Sequence, residues 1–178
     1  MRKLADSTRI EQFMRELGRA VDMEGRVYLT GGATAVLYGW RATTIDVDIK
    51  LMPDRDEILR EIPRLKEKLD LNVELAAPSD FIPLPEGWED RSPLIGKEGK
   101  LSFHHFDPVA QALSKVERGH SQDIQDVREM IANGLVDPAD ALRQFESIEG
   151  DLYRFPAIDP PSFRKAAEEL FSETDSRI

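Results

Sequence analysis

The run Leu29-Thr30-Gly31-Gly32 is followed, after thirteen intervening residues, by Asp46-Val47-Asp48-Ile49. Aspartates at i and i+2 of an extended segment project from one face, close enough to share hard cations through their oxygens. A glycine pair at a strand-to-helix turn lets the backbone approach a phosphate and aims the first helical amides at it. Together they make a cradle, with carboxylates for a divalent metal on one wall and phosphate-binding amides on the other. In-line attack on an α-phosphate between metal ions is the chemistry such a cradle permits. An aspartate pair on an exposed strand face is common by itself; the upstream glycine turn makes this one specific.

The elements that must position these residues are legible around them. Ile10, Phe13, Met14, Leu17, Ala20 and Val21 recur at helical spacing behind Asp6, Ser7 and Thr8 as candidate caps. Val27 to Thr30 reads as a buried strand, and Ala33 to Tyr38 as a helix that stops at Gly39. Residues 45–51 alternate strictly, with Ile45, Val47 and Ile49 on one face and Asp46, Asp48 and Lys50 on the other. Arg55 to Leu69 is predicted helical, kinked or split by Pro63. Leu71, Val73 and Leu75 mark a third strand, and 94–106 a hairpin at the sheet edge. Between them, 77–93 carries four prolines and reads as a surface loop. Helices are expected over 108–117, 121–132 and 138–145, capped by Asp107, Ser121 and Asp137, and over 162–171 after a Pro160-Pro161 linker. The order predicts an α+β fold: a small mixed sheet flanked by helices in a core of 1–106, with a helical C-terminal portion, 107–178. The two parts are expected to pack together, or to form one single domain.

Composition narrows the function classes. The 178 residues carry a formal charge of −10 and a pI near 4.8, which argues against non-specific binding of phosphate backbones. A nucleotide remains compatible, because a cation can bridge carboxylates to phosphates. Cysteine is absent, which removes disulfides and thiolate metal sites. No apolar run approaches the ~20 residues of a membrane span, and no apolar signal region follows Met1, so a cytoplasmic location is expected and no membrane partner.

Gly31-Gly32-Ala33, Arg41-Ala42-Thr43-Thr44 and Asp46-Val47-Asp48 resemble the DNA polymerase β-like nucleotidyltransferase superfamily, and within it the bacterial group that includes abortive-infection toxins. Ser114 to Arg118, followed by Asp123 to Val127, resembles that group's lysine motif and D-x-x-D motif. The resemblance covers about residues 27 to 134. It implies transfer of a nucleoside monophosphate from a nucleoside triphosphate to RNA, protein or a small molecule. It further implies magnesium (or manganese) on Asp46 and Asp48, and triphosphate on Gly31 and Gly32. A toxin–antitoxin or phage-defence setting, with a cognate partner, comes with it. The alternative is an inactive nucleotidyltransferase-like binding or antitoxin protein.

Other residues carry two readings each. Lys115 either contacts phosphate or the developing charge, as the resemblance implies, or is a solvated helical lysine pairing with an acid. Asp123 and Asp126 either belong to the site, Asp126 being preferred, or stabilise a helix N-terminus. Arg41 binds triphosphate or pairs with a surface acid; Thr44 precedes the acidic strand beside it. The resemblance also implies a third carboxylate that takes the proton of the attacking hydroxyl; Glu74 is the candidate, but Asn72 shares its face, so the acid is otherwise absent or drawn from Asp123 or Asp126. His104 and His105, as strand neighbours, point to opposite faces and cannot chelate together. Trp40 and Trp88 read as packing residues, with Trp88 also placed to cover a ligand.

Overall fold

The computed structural model describes residues 1–172. The chain forms two compact units, Met1–Ala77 with Ser92–Phe106, and Pro78–Arg91 with the segment from Asp107 onward. The fold is α+β.

In the first unit the order is α1 (Ser7–Ala20), β1 (Gly25–Thr30), α2 (Gly32–Tyr38), β2 (Asp46–Met52), α3 (Asp56–Leu69), β3 (Asn72–Leu75), β4 (Leu94–Glu98) and β5 (Leu101–His105). The five strands make one mixed sheet in the order β3-β2-β1-β5-β4. β1 runs antiparallel to β2 and parallel to β5, while β3 is parallel to β2. The hairpin places β4 at the edge. Register gives the sheet two chemically distinct faces. Val27, Leu29, Val47, Ile49, Leu51, Val73, Leu101 and Phe103 are buried and join one core with Ile10, Phe13 and Leu17 of α1 and Ile58, Ile62 and Leu65 of α3. Thr30, opposite Asp48, and Asp46, opposite Asn72, belong to the other face.

Local chemistry explains the boundaries. The Asp6 carboxylate accepts from the Arg9 amide at 2.9 Å and starts α1. Gly39, in the left-handed region at φ 94°, ends α2. Ile45 departs from the alternation: it is 69% exposed and precedes β2. The chain is fixed one residue earlier, where Thr44 exchanges backbone hydrogen bonds with Ala5 at 2.8 and 2.9 Å, so the buried series starts at Val47. Pro63 lies inside α3 without splitting it. Burial of Ile58, Ile62 and Leu65 on either side offsets the roughly 3 kcal/mol a mid-helix proline costs. Backbones also meet directly. A Cβ on Gly18 of α1 would stand 2.4 Å from the Glu98 carbonyl oxygen, and one on Gly99 would stand 2.6 Å from that of Gly18.

The second unit holds α4 (Pro108–Arg118), α5 (Ser121–Ala132), α6 (Pro138–Glu149) and α7 (Pro160–Ser172). Asp107 and Asp137 cap α4 and α6 through the amides of Val109 and Asp140, each at 3.0 Å. Ser121 is not a cap but the first residue of α5, and His120 stands before it without a side-chain cap bond. Pro160 and Pro161 open α7 rather than separating it, because the first helical turn has no amide to lose there. α6 continues past Phe145 because Ile148, one further turn on, is also buried. The proline-rich stretch is no mere surface loop. Ile82 is fully buried, a short 3-10 turn spans Pro78–Asp80, and the Arg91 guanidinium donates twice to the Asp107 carboxylate, at 2.8 and 3.0 Å. No helix among the described residues is long and apolar enough to cross a membrane.

Candidate functional site

β1 ends at Thr30, and the chain turns at Gly31 with φ 61° and ψ −129°, a conformation open essentially to glycine. A Cβ at Gly31 would stand 3.0 Å from Oδ2 of Asp48, so the turn and the acidic strand are in direct contact. At Gly32 a Cβ would collide with Thr44 Oγ1 at 2.0 Å and approach an Arg41 guanidinium nitrogen at 3.3 Å. The Thr44 hydroxyl donates to the Asp46 carbonyl at 3.0 Å, tying the approach segment to the start of β2. Asp46 and Asp48 share one face of β2, both partly exposed between buried Val47 and Ile49. Gly31, Gly32, Arg41, Thr44, Asp46 and Asp48 therefore gather at one end of the sheet.

The neighbouring strand modifies this pair. Asn72 lies opposite Asp46 in register and its amide donates to the Asp46 carboxylate. Glu74 lies opposite Asp48 on the same face, yet its half-exposed side chain pairs with Lys66 at 3.5 Å. Among the described residues, no three His, Cys, Asp or Glu side chains gather closely enough to hold a metal by themselves. Asn72 sits in the sequence pattern at the same alternation as Glu74, which signals its face but not its bond.

Lys115 and Asp126 form a cluster within the helical unit. Lys115 is 4% exposed, and its ammonium donates to Asp123 Oδ1 at 3.1 Å and to Asp126 Oδ2 at 2.8 Å. Arg118 donates to Asp123 at 2.7 Å, and Gln122 to Asp126 at 3.3 Å. Lys115 thus pairs with acids, as its structural reading expects, but in a buried site rather than in solvent. α4 and α5 are joined through Gly119, at φ 69°, and the turn brings the lysine against both acids. Spacing alone could not reveal this, because i and i+3 carboxylates near a helix start are satisfied equally well by its amides.

The histidines part as alternation requires. His104 Nε2 lies 3.0 Å from the Ser102 hydroxyl, whereas His105 is buried with Nδ1 3.1 Å from the Thr34 hydroxyl. Burial lowers the His105 pKa to about 4. In the unfolded chain the imidazole takes a proton near pH 6.5, so the unfolded state binds more protons between those values. Stability is therefore expected to fall by about 3 kcal/mol as pH drops from 6.5 to 4. Burial also lowers His104, in the same direction, while it raises Asp107 against the opposing Arg91 charge. Denaturant midpoints of the wild type and His105→Gln across this range isolate the His105 share. Parallel pH profiles for the two proteins would exclude it.

No curated protein and no solved structure matches the chain. Residues 6–146 match the family described as "Nucleotidyltransferase of unknown function (DUF6036)", a span that takes in the glycine turn, both β2 aspartates and the Lys115 cluster. The chain belongs to this nucleotidyltransferase family.

Proposed function

We propose that the chain transfers a nucleoside monophosphate from a nucleoside triphosphate to an acceptor hydroxyl, with magnesium or manganese held by Asp46 and Asp48. The observation that carries this reading is the contact of Asp48 with the Gly31 turn, at 3.0 Å from where a Cβ would stand. Two carboxylates suit magnesium, which completes its shell with water and substrate phosphate oxygens. Bound metal would supply charge neutralisation between carboxylates and phosphates. The Gly31 and Gly32 backbone would let the triphosphate approach closely, with Arg41 facing its negative charge and Thr44 fixing the approach to Asp46. The acceptor oxygen bonds to the α-phosphorus, the bond to pyrophosphate breaks, and the hydroxyl proton passes to a carboxylate. Glu74, opposite Asp48 in register, is our choice for that carboxylate, released from Lys66. Lys115 and Asp126 satisfy one another, and we give them a structural part.

A second reading is a nucleotide-binding module without turnover. It is favoured by Asn72 bonded to Asp46 and by Glu74 turned to Lys66. The resemblance to abortive-infection proteins supports a toxin–antitoxin or phage-defence setting, with RNA, protein or a small molecule as acceptor. Incubation of the protein with each labelled nucleoside triphosphate, magnesium and cell extract is expected to give a labelled acceptor and pyrophosphate. Saturable binding without transfer would select the second reading. Failure to bind any triphosphate would remove both.

A further inference from the structure

Asp46 opens β2 and Asn72 opens β3, and the two stand opposite each other because the strands run parallel. The Asn72 amide donates to the Asp46 carboxylate, and the Thr44 hydroxyl donates to the Asp46 carbonyl. One aspartate is thus held twice, at its side chain from the neighbouring strand and at its backbone from the segment before its own.

Both holds lead back to one stretch of chain, residues 2–9. Ala5, fully buried, exchanges backbone hydrogen bonds with Thr44. Arg2 donates to the Leu71 carbonyl at 3.0 Å, and the Lys3 amide to that of Asp70 at 3.2 Å. The Arg9 guanidinium donates to the Leu69 and Asp70 carbonyls at 2.6 and 2.9 Å, where α3 ends. Asp70 stands in the left-handed region at φ 50°, uncommon for a residue other than glycine, and so sets how the chain leaves α3 for Asn72. Packing α1 onto the sheet does not call for these bonds, because Ile10, Phe13 and Leu17 supply it through the core. The bonds fall instead on residues 44 and 69–71, just ahead of the two side chains that meet on the acidic face.

We infer that residues 2–9 form a positioning arm for Asp46, acting through Thr44 on its backbone and through Asn72 on its carboxylate. The inference rests on the metal-binding role proposed above for Asp46 and names what aims that ligand. A carboxylate with one oxygen bonded to an amide keeps one orientation and leaves its second oxygen for a cation. Partners of this kind, one shell out from the metal, set its affinity by about 10–100-fold.

The test uses Mn²⁺ alone, its bound fraction read from loss of the free ion's paramagnetic resonance signal. Arg2→Ala combined with Arg9→Ala is expected to weaken Mn²⁺ binding by about tenfold, the lower end of that range because the arginines act at one remove. Ala5→Pro, which lacks the amide that donates to Thr44, should do the same. Asn72→Ala should weaken binding at least as much, and in that background the two arginine substitutions should cost no further affinity. Arg9→Lys, still able to donate to a carbonyl, should bind as the wild type does. Phe145→Leu, which thins the core of the helical unit, is the control for stability: it lowers the melting temperature and leaves Mn²⁺ affinity unchanged. Wild-type affinity in either arm variant would overturn the arm and leave the metal site standing. A second tenfold loss from the arginine substitutions in Asn72→Ala would refute the route through Asn72. Absence of Mn²⁺ binding by the wild type would remove the metal site and the arm with it. The arginine variant decides the matter even if Ala5→Pro fails to fold.

Discussion

Asp48→Asn is expected to reduce nucleotide transfer by about 10²–10³-fold or more, with its circular dichroism spectrum unchanged. The reason is that this carboxylate touches the glycine turn, where an anionic triphosphate and its metal would have to lie. On the proposed reading, a neutral isostere would remove a metal ligand and a charge that acts on the reacting phosphate, and such losses are of this size. Binding should follow. Magnesium and nucleoside triphosphate at a hundredfold excess over the dissociation constant stabilise a folded protein by about 2.7 kcal/mol. For a chain of this length that is a rise in melting temperature of roughly 5–10 °C. The double substitution Asp46→Asn, Asp48→Asn should lose the rise entirely. An undiminished ligand shift in the double variant would place nucleotide binding elsewhere and sink the proposed site.

Lys115→Ala should lower stability by about 3–5 kcal/mol, or roughly 10 °C in melting temperature. Lys115 is 4% exposed and its ammonium is bonded to two aspartates, of which Asp126 is fully buried. Taking away one partner strands the other's charge in a poorly solvated site, whereas removing both is far less costly. Lys115→Met combined with Asp126→Leu is therefore expected to recover much of the loss, since Asp123 keeps Arg118. Urea unfolding of the wild type, Lys115→Met, Asp126→Leu and the double variant measures the coupling directly. A loss under about 1 kcal/mol in Lys115→Ala would mean that the lysine reaches water and that its pairing carries little.

What the sequence makes legible follows from short-range physics. Alternation over Val47, Asp48 and Ile49 places both aspartates on one face, because strand side chains have a period of two. The Asp6, Asp107 and Asp137 caps and the Gly39 stop are readable for the same reason: each acts on an amide or carbonyl a few residues away. Features settled by distant partners are not readable. Ile45 fits the alternation but is displaced from β2 because Thr44 is bound to Ala5, far off in the chain. Pro63 weakens a helix locally, and buried neighbours on α3 overrule it. Ile82 and Arg91 look like loop residues until Asp107 is seen to hold the arginine. In the site, the glycines and aspartates are visible from spacing, whereas the Asn72 bond to Asp46 depends on the register of two strands.

The parallel pairing of β1 with β5 also sets an order of events on the ribosome. β2 emerges soon after β1 and can pair with one of its edges, but Leu101 must be synthesised before it can lie beside Gly25. At roughly 5–20 residues per second, that interval lasts several seconds. Throughout it, Val27, Tyr28 and Leu29 present an unpaired strand edge, the sort of template on which growing chains associate. The nascent protein is thus most vulnerable before residue 101 appears, and shielding of that edge by a chaperone should raise its folded yield more than any gain in final stability.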